Sequence, residues 1–156
     1  MQNSYLWLKS LHLLGVVLFL GNIIVTGWWK AMADLTKNPV IIGFAQRQVT
    51  LTDYVFTAGG ALILLVAGVV NVVVHGMPLS LTWLRWGLGL FVLSGLIWLF
   101  ILIPTQIAQA KIAKTFVQGS VITDRYWLLC QRWYIWGLIA TLLPLCNLYW
   151  MVFKTA

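Results

Sequence analysis

Apolar residues in this chain come in long runs instead of alternating with polar ones. Four stretches, at roughly 5–29, 54–75, 83–103 and 126–153, are almost unbroken in Leu, Ile, Val, Phe, Gly, Ala and Trp. Each reaches or exceeds the ~20 residues with which an α-helix crosses ~30 Å of hydrocarbon. The pattern predicts an all-α, polytopic integral membrane protein: one domain over 1–156, built as a bundle of four transmembrane helices. The first stretch precedes Ala31-Met32-Ala33, which looks like a leader cleavage site. Its apolar core is about twice the 7–15 residues of a secretory leader, so it reads as a retained helix.

The polar segments between the runs carry their own signals. In "KAMADLTKNPVIIGFAQRQVTLTD", Asn38 can cap a helix that Pro39 starts, with Val40, Ile41, Phe44 and Val49 at near-helical spacing. A short interfacial helix over 39–50 leading into the second span is expected. Pro104 should kink the third helix where it leaves the bilayer. The amphipathic "TQIAQAKIAK" that follows carries that helix on to about 117, and Thr123-Asp124-Arg125 caps the last one. Glycines recur within the spans without a clean GxxxG, which favours a tight bundle and marks no dimer face.

Composition agrees with a membrane protein: 62% of residues are hydrophobic and 8% charged, against about 25% charged in soluble domains. A net charge of +7 would suggest nucleic acid in a soluble protein. Here its distribution points to the lipid bilayer instead, and no nucleic-acid partner is expected. Lys30, Lys37 and Arg47 lie between the first two runs and Lys111, Lys114 and Arg125 between the last two, while the connection around Gly76-Met77-Pro78 has no cation before Arg85. By the positive-inside rule the basic connections face the cytoplasm, giving an N-out, C-out topology. Most of the ten tryptophans fall near run ends, as aromatic belts do. Cys130 and Cys146 share the fourth run, ~24 Å apart along a helix, too far for a disulfide.

Ionisable groups inside a span are the candidates for function. Towards the expected outer side these are Lys9 and His12, on one face of the first helix, with His75 and Arg85; towards the inner side, Asp53, Arg47 and Arg132, with Asn22 and Gln106. Three roles are open to His12: structural hydrogen bonding, proton relay, or ligation of haem or a metal. Lys9 either snorkels outward or, with Arg85, faces haem propionates. His12 and His75 differ in expected depth by ~9 Å, which argues against their ligating one iron together. The inner residues form an expected structural polar cluster, with Asp53 paired to Arg132 or Arg47 and with Asn22 and Gln106 completing its hydrogen bonds. The chain has no glutamate and three aspartates, so no nucleophile–base–acid set can be assembled. A phosphate-binding glycine loop is also absent, and any chemistry would come from a bound cofactor.

The segments "YLWLKSLHLLGVVLFLGNIIVTGWW", "TDYVFTAGG", "IPTQ" and "WMVFK" together resemble an uncharacterised family of bacterial four-helix inner-membrane proteins, over nearly the whole chain. That family is distantly similar to HemJ-type protoporphyrinogen oxidases, whose first helix opens with W-x-K-x-x-H, and more loosely to CopD-like copper-resistance proteins. The HemJ resemblance implies haem b held by His12, with Lys9 and Arg85 as propionate partners, in electron transfer or porphyrin oxidation. Two positions depart from that pattern. Arg85 follows Trp83-Leu84 near where those proteins carry a lysine, and "ATLLPL" replaces their Asn-Glu-Pro. A different expectation is a non-catalytic membrane subunit or small transporter component, assembled as a homo-oligomer or with a partner subunit. Copper handling would have to rely on His12, His75, Met77 and Met151.

Overall fold

The computed structural model describes residues 2–154, and nearly all of them are helical. Helix α1 spans Gln2–Leu35. Helix α2, Pro39–Thr52, passes through a π-helical turn at Asp53–Ala58 into α3, Gly59–Val74. Helix α4, Thr82–Ile97, passes through a second π-helical turn at Trp98–Leu102 into α5, Ile103–Ala113, and α6 is Asp124–Phe153. These segments form four antiparallel rods, of 30 to 36 residues, each long and apolar enough to cross a membrane.

The sequence signals at the rod ends hold with adjustments. Asn38 caps α2 as expected, its side chain accepting from the amides of Val40 at 3.0 Å and Ile41 at 3.4 Å, with Pro39 in the first turn. The expected interfacial helix is not separate from the second span: α2 and α3 make one continuous rod of 36 residues. Helix α1 outlasts its apolar run and reaches Leu35, because Lys30 and Asp34, one helical turn apart, pair with each other. The third rod ends at Ala113 instead of about 117. Pro104 sits in the first turn of α5, directly after a π-helical turn.

Both π-helical turns have a reading in the packing. Along the second rod the inward positions Gln46, Val49, Asp53, Thr57 and Gly60 advance by three, four, four and three residues; along the third, Phe91, Ser94, Trp98, Leu102 and Thr105 do the same. Those steps average about 3.5 residues, the ordinary spacing of one helix face, so each inward stripe runs through its π-helical turn, where Asp53, Thr57 and Trp98 belong to it.

The rods associate as two hairpins. Helix α1 packs along α3, and α4 along α6. At Gly15 and Gly60 the first hairpin is backbone against backbone: a methyl group at Gly15 would lie 2.5 Å from the Leu64 amide nitrogen, and one at Gly60 2.7 Å from that of Phe19. In the second hairpin, Pro144 inside α6 cannot donate to the Ala140 carbonyl. The buried Ser94 hydroxyl donates to that carbonyl instead, from α4, at 2.8 Å, so the proline becomes an interhelical bond where water cannot help.

The hairpins meet chiefly at the end bearing the two basic connections, where α1, α2, α5 and α6 converge. There the core groups Ile42, Ala113, Tyr126 and Cys130, followed by Val49, Leu102, Trp133 and Ala140. Near mid-length Phe19 and Phe91 touch edge to face, centroids 6.1 Å apart. Towards the end bearing the termini, α3 approaches neither α4 nor α6. Rods of ~45–54 Å exceed ~30 Å of hydrocarbon, and the polar residues place the excess at the basic end.

The close backbone contact sets a test. Gly15→Ala and Gly60→Ala should each lower the thermal unfolding midpoint in detergent, followed by tryptophan fluorescence. Gly89→Ala, with open space around it, should hold or raise it, since Ala is favoured over Gly in helices by ~0.5–1 kcal/mol. Equal behaviour of the three variants would contradict the packing of α1 on α3.

Candidate functional site

Three groups of polar side chains lie between the rods. The most enclosed is at the basic end. The Lys30 ammonium, on a side chain 1% exposed, donates to Asp34 Oδ2 at 3.1 Å and to the Tyr126 hydroxyl at 3.1 Å. Tyr126 in turn donates to Asp34 Oδ1 at 3.3 Å, and Tyr134 to Asp34 Oδ2 at 2.7 Å. The rings of Tyr126, Trp133 and Tyr134 surround the ammonium, with centroids 5.2 to 5.8 Å from it. Cys130 Sγ is 3.7 Å from Lys30 Nζ and accepts from Gln109 Nε2 at 3.3 Å.

Such a pair is tolerated in a low-dielectric interior only when both charges are hydrogen-bonded, and here they are. Gln46, 0% exposed and lying between Ile42 and Val49 on the inward face of α2, has neither amide atom paired, and Gln109 Oε1 is also unpaired. Lys30 thus serves as more than a topology marker, and Asp34, Tyr126 and Tyr134 were missed from sequence. The signal was present: Lys30 and Asp34 are one turn apart, and Tyr126, Cys130 and Tyr134 recur every four residues on one face of α6.

The second group lies one step towards the membrane and contains the expected inner cluster in part. Asn22 Nδ2 donates to Asp53 Oδ1 at 3.2 Å and to Thr57 Oγ1 at 2.9 Å, and Thr57 donates to Asp53 Oδ1 at 2.9 Å. Gln106 and Asp53 border the same small cavity, with Trp98 from the other π-helical turn. Neither arginine joins them. Arg47 and Arg132 are exposed, and among the described residues the one ion pair is Lys30–Asp34. The expected Asp53–Arg132 and Asp53–Arg47 pairs are not formed, because each arginine lies on the outward face of its rod, where its charge stays solvated. Asp53 is held by neutral donors.

The third group is on the first hairpin, towards the termini. His12 Nδ1 is 2.8 Å from the Leu64 carbonyl oxygen. Because that oxygen can only accept, Nδ1 is the donor, and in the neutral ring Nε2 then carries the lone pair. Gly68 makes room for the ring: a methyl there would sit 3.0 Å from Nδ1. His75 donates in the same way to the Asn71 carbonyl at 3.0 Å and meets the Tyr5 ring edge-on, and its Nε2 is buried without a partner, as is Asn71 Oδ1. His12 sits against Gly68, seven residues before His75 and so ~10 Å from its level, in line with the depth difference expected from sequence. Lys9 lies over Tyr5, 6.0 Å from its centroid. Arg85 is exposed at the start of α4, on the other hairpin. Among the described residues no three of His, Cys, Asp and Glu come together as a metal cage. Both cysteines are free, Cys130 buried and Cys146 exposed.

The charged centre sets a stability test. Lys30→Met leaves Asp34 buried without its cation and should cost ~3 kcal/mol or more, read as a lower unfolding midpoint. Lys30→Met combined with Asp34→Asn removes both charges but keeps an acceptor for the tyrosines. The double variant should therefore be more stable than Lys30→Met alone; if the two losses simply add, the pair does not act as a unit.

No curated protein and no solved structure matches the chain. A family model does, over residues 6–155, and it describes a predicted integral membrane protein. With four membrane-crossing rods in place and nearly every residue inside that match, the chain belongs to the DUF2269 family of integral membrane proteins.

Proposed function

We propose that this protein binds haem b through His12 and works in electron transfer within a bacterial inner membrane, its basic end facing the cytoplasm. One observation carries the reading: the Leu64 carbonyl fixes the His12 tautomer so that Nε2 presents a lone pair. A backbone carbonyl on the far nitrogen is the usual partner of an iron- or metal-ligating imidazole, since it orients the ring and raises its basicity. His12 is the residue that would hold the iron; His75 lies at another level with its Nε2 buried, so the two histidines would not share one haem. Lys9 and Arg85 are assigned to the propionates. Bound haem would supply one-electron redox chemistry, porphyrin oxidation being a special case; the polypeptide would supply the ligand, its orientation and the surrounding dielectric.

A second reading, a non-catalytic subunit of a larger membrane assembly or small transporter component, draws support from a different observation. The hairpins barely touch towards the termini, which leaves helix faces there for lipid or for a partner subunit.

The test is the visible spectrum of detergent-purified protein, oxidised and dithionite-reduced, beside His12→Ala and His75→Ala. The parent and His75→Ala should show a Soret band that His12→Ala loses. A parent that stays colourless after added haem would overturn the haem reading, and stoichiometric co-purification of another membrane protein with it would favour the subunit reading.

A further inference from the structure

One opening is lined by none of the charged or histidine side chains of the three polar groups. It is a groove of about 480 Å³ between the last three turns of α1 and α2, open on one side. Its volume falls within the range of small-molecule and lipid sites. Three threonines contribute to the wall, but their hydroxyls are occupied within their own helices: Thr26 donates to the Asn22 carbonyl at 2.6 Å, Thr36 to Ala33 at 2.6 Å and Thr52 to Gln48 at 2.8 Å. The wall offered to a ligand is therefore apolar, with Gln48 as the exception. Trp29 and Phe44, 60% and 56% exposed, stand at it.

The groove also has a direction. α1 and α2 are antiparallel, so Thr26 and Thr52 mark one end and Thr36 and Ile41 the other, ~15 Å along the rods. Thr26 lies within the first apolar run, whereas Thr36 lies beyond it, among polar residues. An extended apolar chain lying in the groove would thus point its polar terminus to the Thr36 end. Cations bear on that end. Lys37 directly follows Thr36; Arg47 stands about midway along the groove, outside its wall, and a helical side chain leans towards the N-terminus of its helix, here the Thr36 end. Both are exposed and without an acidic partner among the described residues. The nearby carboxylate of Asp34 is taken by Lys30 and the tyrosines.

We infer that this groove holds one acyl chain of an anionic phospholipid, with Lys37 and Arg47 attracting its phosphate headgroup. Apolar wall, orientation along the rods and unpaired cations at the polar end agree on that occupant. Juxtamembrane cations are the usual determinant for anionic headgroups. Ala45, in the groove wall, is where added bulk would compete with the chain.

The test uses the full-length protein in detergent with phosphatidylglycerol and phosphatidylcholine of identical chains, read by native mass spectrometry. One phosphatidylglycerol should bind about thirtyfold more tightly than phosphatidylcholine, the advantage two cations confer at a lipid surface at ~1 kcal/mol each. Lys37→Gln with Arg47→Gln should abolish that preference. Ala45→Trp should weaken both lipids about tenfold, while Val66→Phe, on an exposed face of α3, should change neither. A photoactivatable phosphatidylglycerol should label peptides covering 26–36 and 41–52 of the unsubstituted protein, a readout that does not depend on any variant folding. Equal affinity for the two lipids, undiminished binding by folded Ala45→Trp, or label spread over all four rods in proportion to exposure would overturn the proposal. So would a second copy or another protein seated in the groove.

Discussion

The rest of the structure depends on a buried ion pair, Lys30 with Asp34, tied to α6 by the hydroxyls of Tyr126 and Tyr134. Within each hairpin, close backbone packing and interhelical bonds such as Ser94 to Ala140 are sufficient to hold two rods together. Between hairpins little else is available. Lipid tails are as apolar as leucine, so burial supplies scant drive for association inside the membrane. A charge pair already satisfied along α1 and then extended to α6 supplies that drive, because separating the hairpins would leave Asp34 without its tyrosine donors in a poor dielectric.

This division explains why the core lies at one end. Both clusters of buried apolar residues adjoin the charged centre, at the level where the rods outlast the hydrocarbon and hydrophobic burial regains its force. The π-helical turns sit at the transition. Residues from both, Asp53, Tyr54 and Trp98, border one cavity of about 10 Å³, the size of a single water. Trp98 Nε1 is buried nearby without an acceptor. Both turns carry residues of the inward face, which runs from the mixed packing of the basic end to the two-helix packing of the hairpins.

Sequence periodicity gave the four rods plainly, since an unbroken apolar run has few alternatives. Asn38 and Pro39 gave the start of α2, because capping is local chemistry. What sequence did not give was whatever depends on two rods meeting. Nothing within 39–75 says that α2 and α3 join through a π-helical turn, since the inward stripe keeps an ordinary helical spacing across it. Charge pairs Asp53 with arginines in the sequence, but helical phase turns both arginines outward; Asn22 is beside Asp53 as expected, and Thr57 is the partner that sequence does not name. Lys30 was counted by its sign alone, although Asp34 one turn away and the tyrosines on α6 were there to be read. The same limit holds at His12: residue type singles it out, whereas the carbonyl that bonds its ring belongs to another helix.

The two ends differ in what they leave unsatisfied, and that difference carries functional meaning. At the basic end the charged groups are fully occupied with one another, and the orphans there are amide atoms, both of Gln46 and Oε1 of Gln109. Towards the termini, His12 keeps an unshared lone pair, and Asn71 Oδ1 and His75 Nε2 are buried without partners, in a region where no core cluster forms. Orphaned acceptors inside a span are unfavourable unless something binds them. All three are acceptors, and all lie on the α1–α3 hairpin, within ~10 Å along the rods. If haem binds as proposed, His12, whose ring the Leu64 carbonyl orients from the neighbouring helix, is the group through which that end would act.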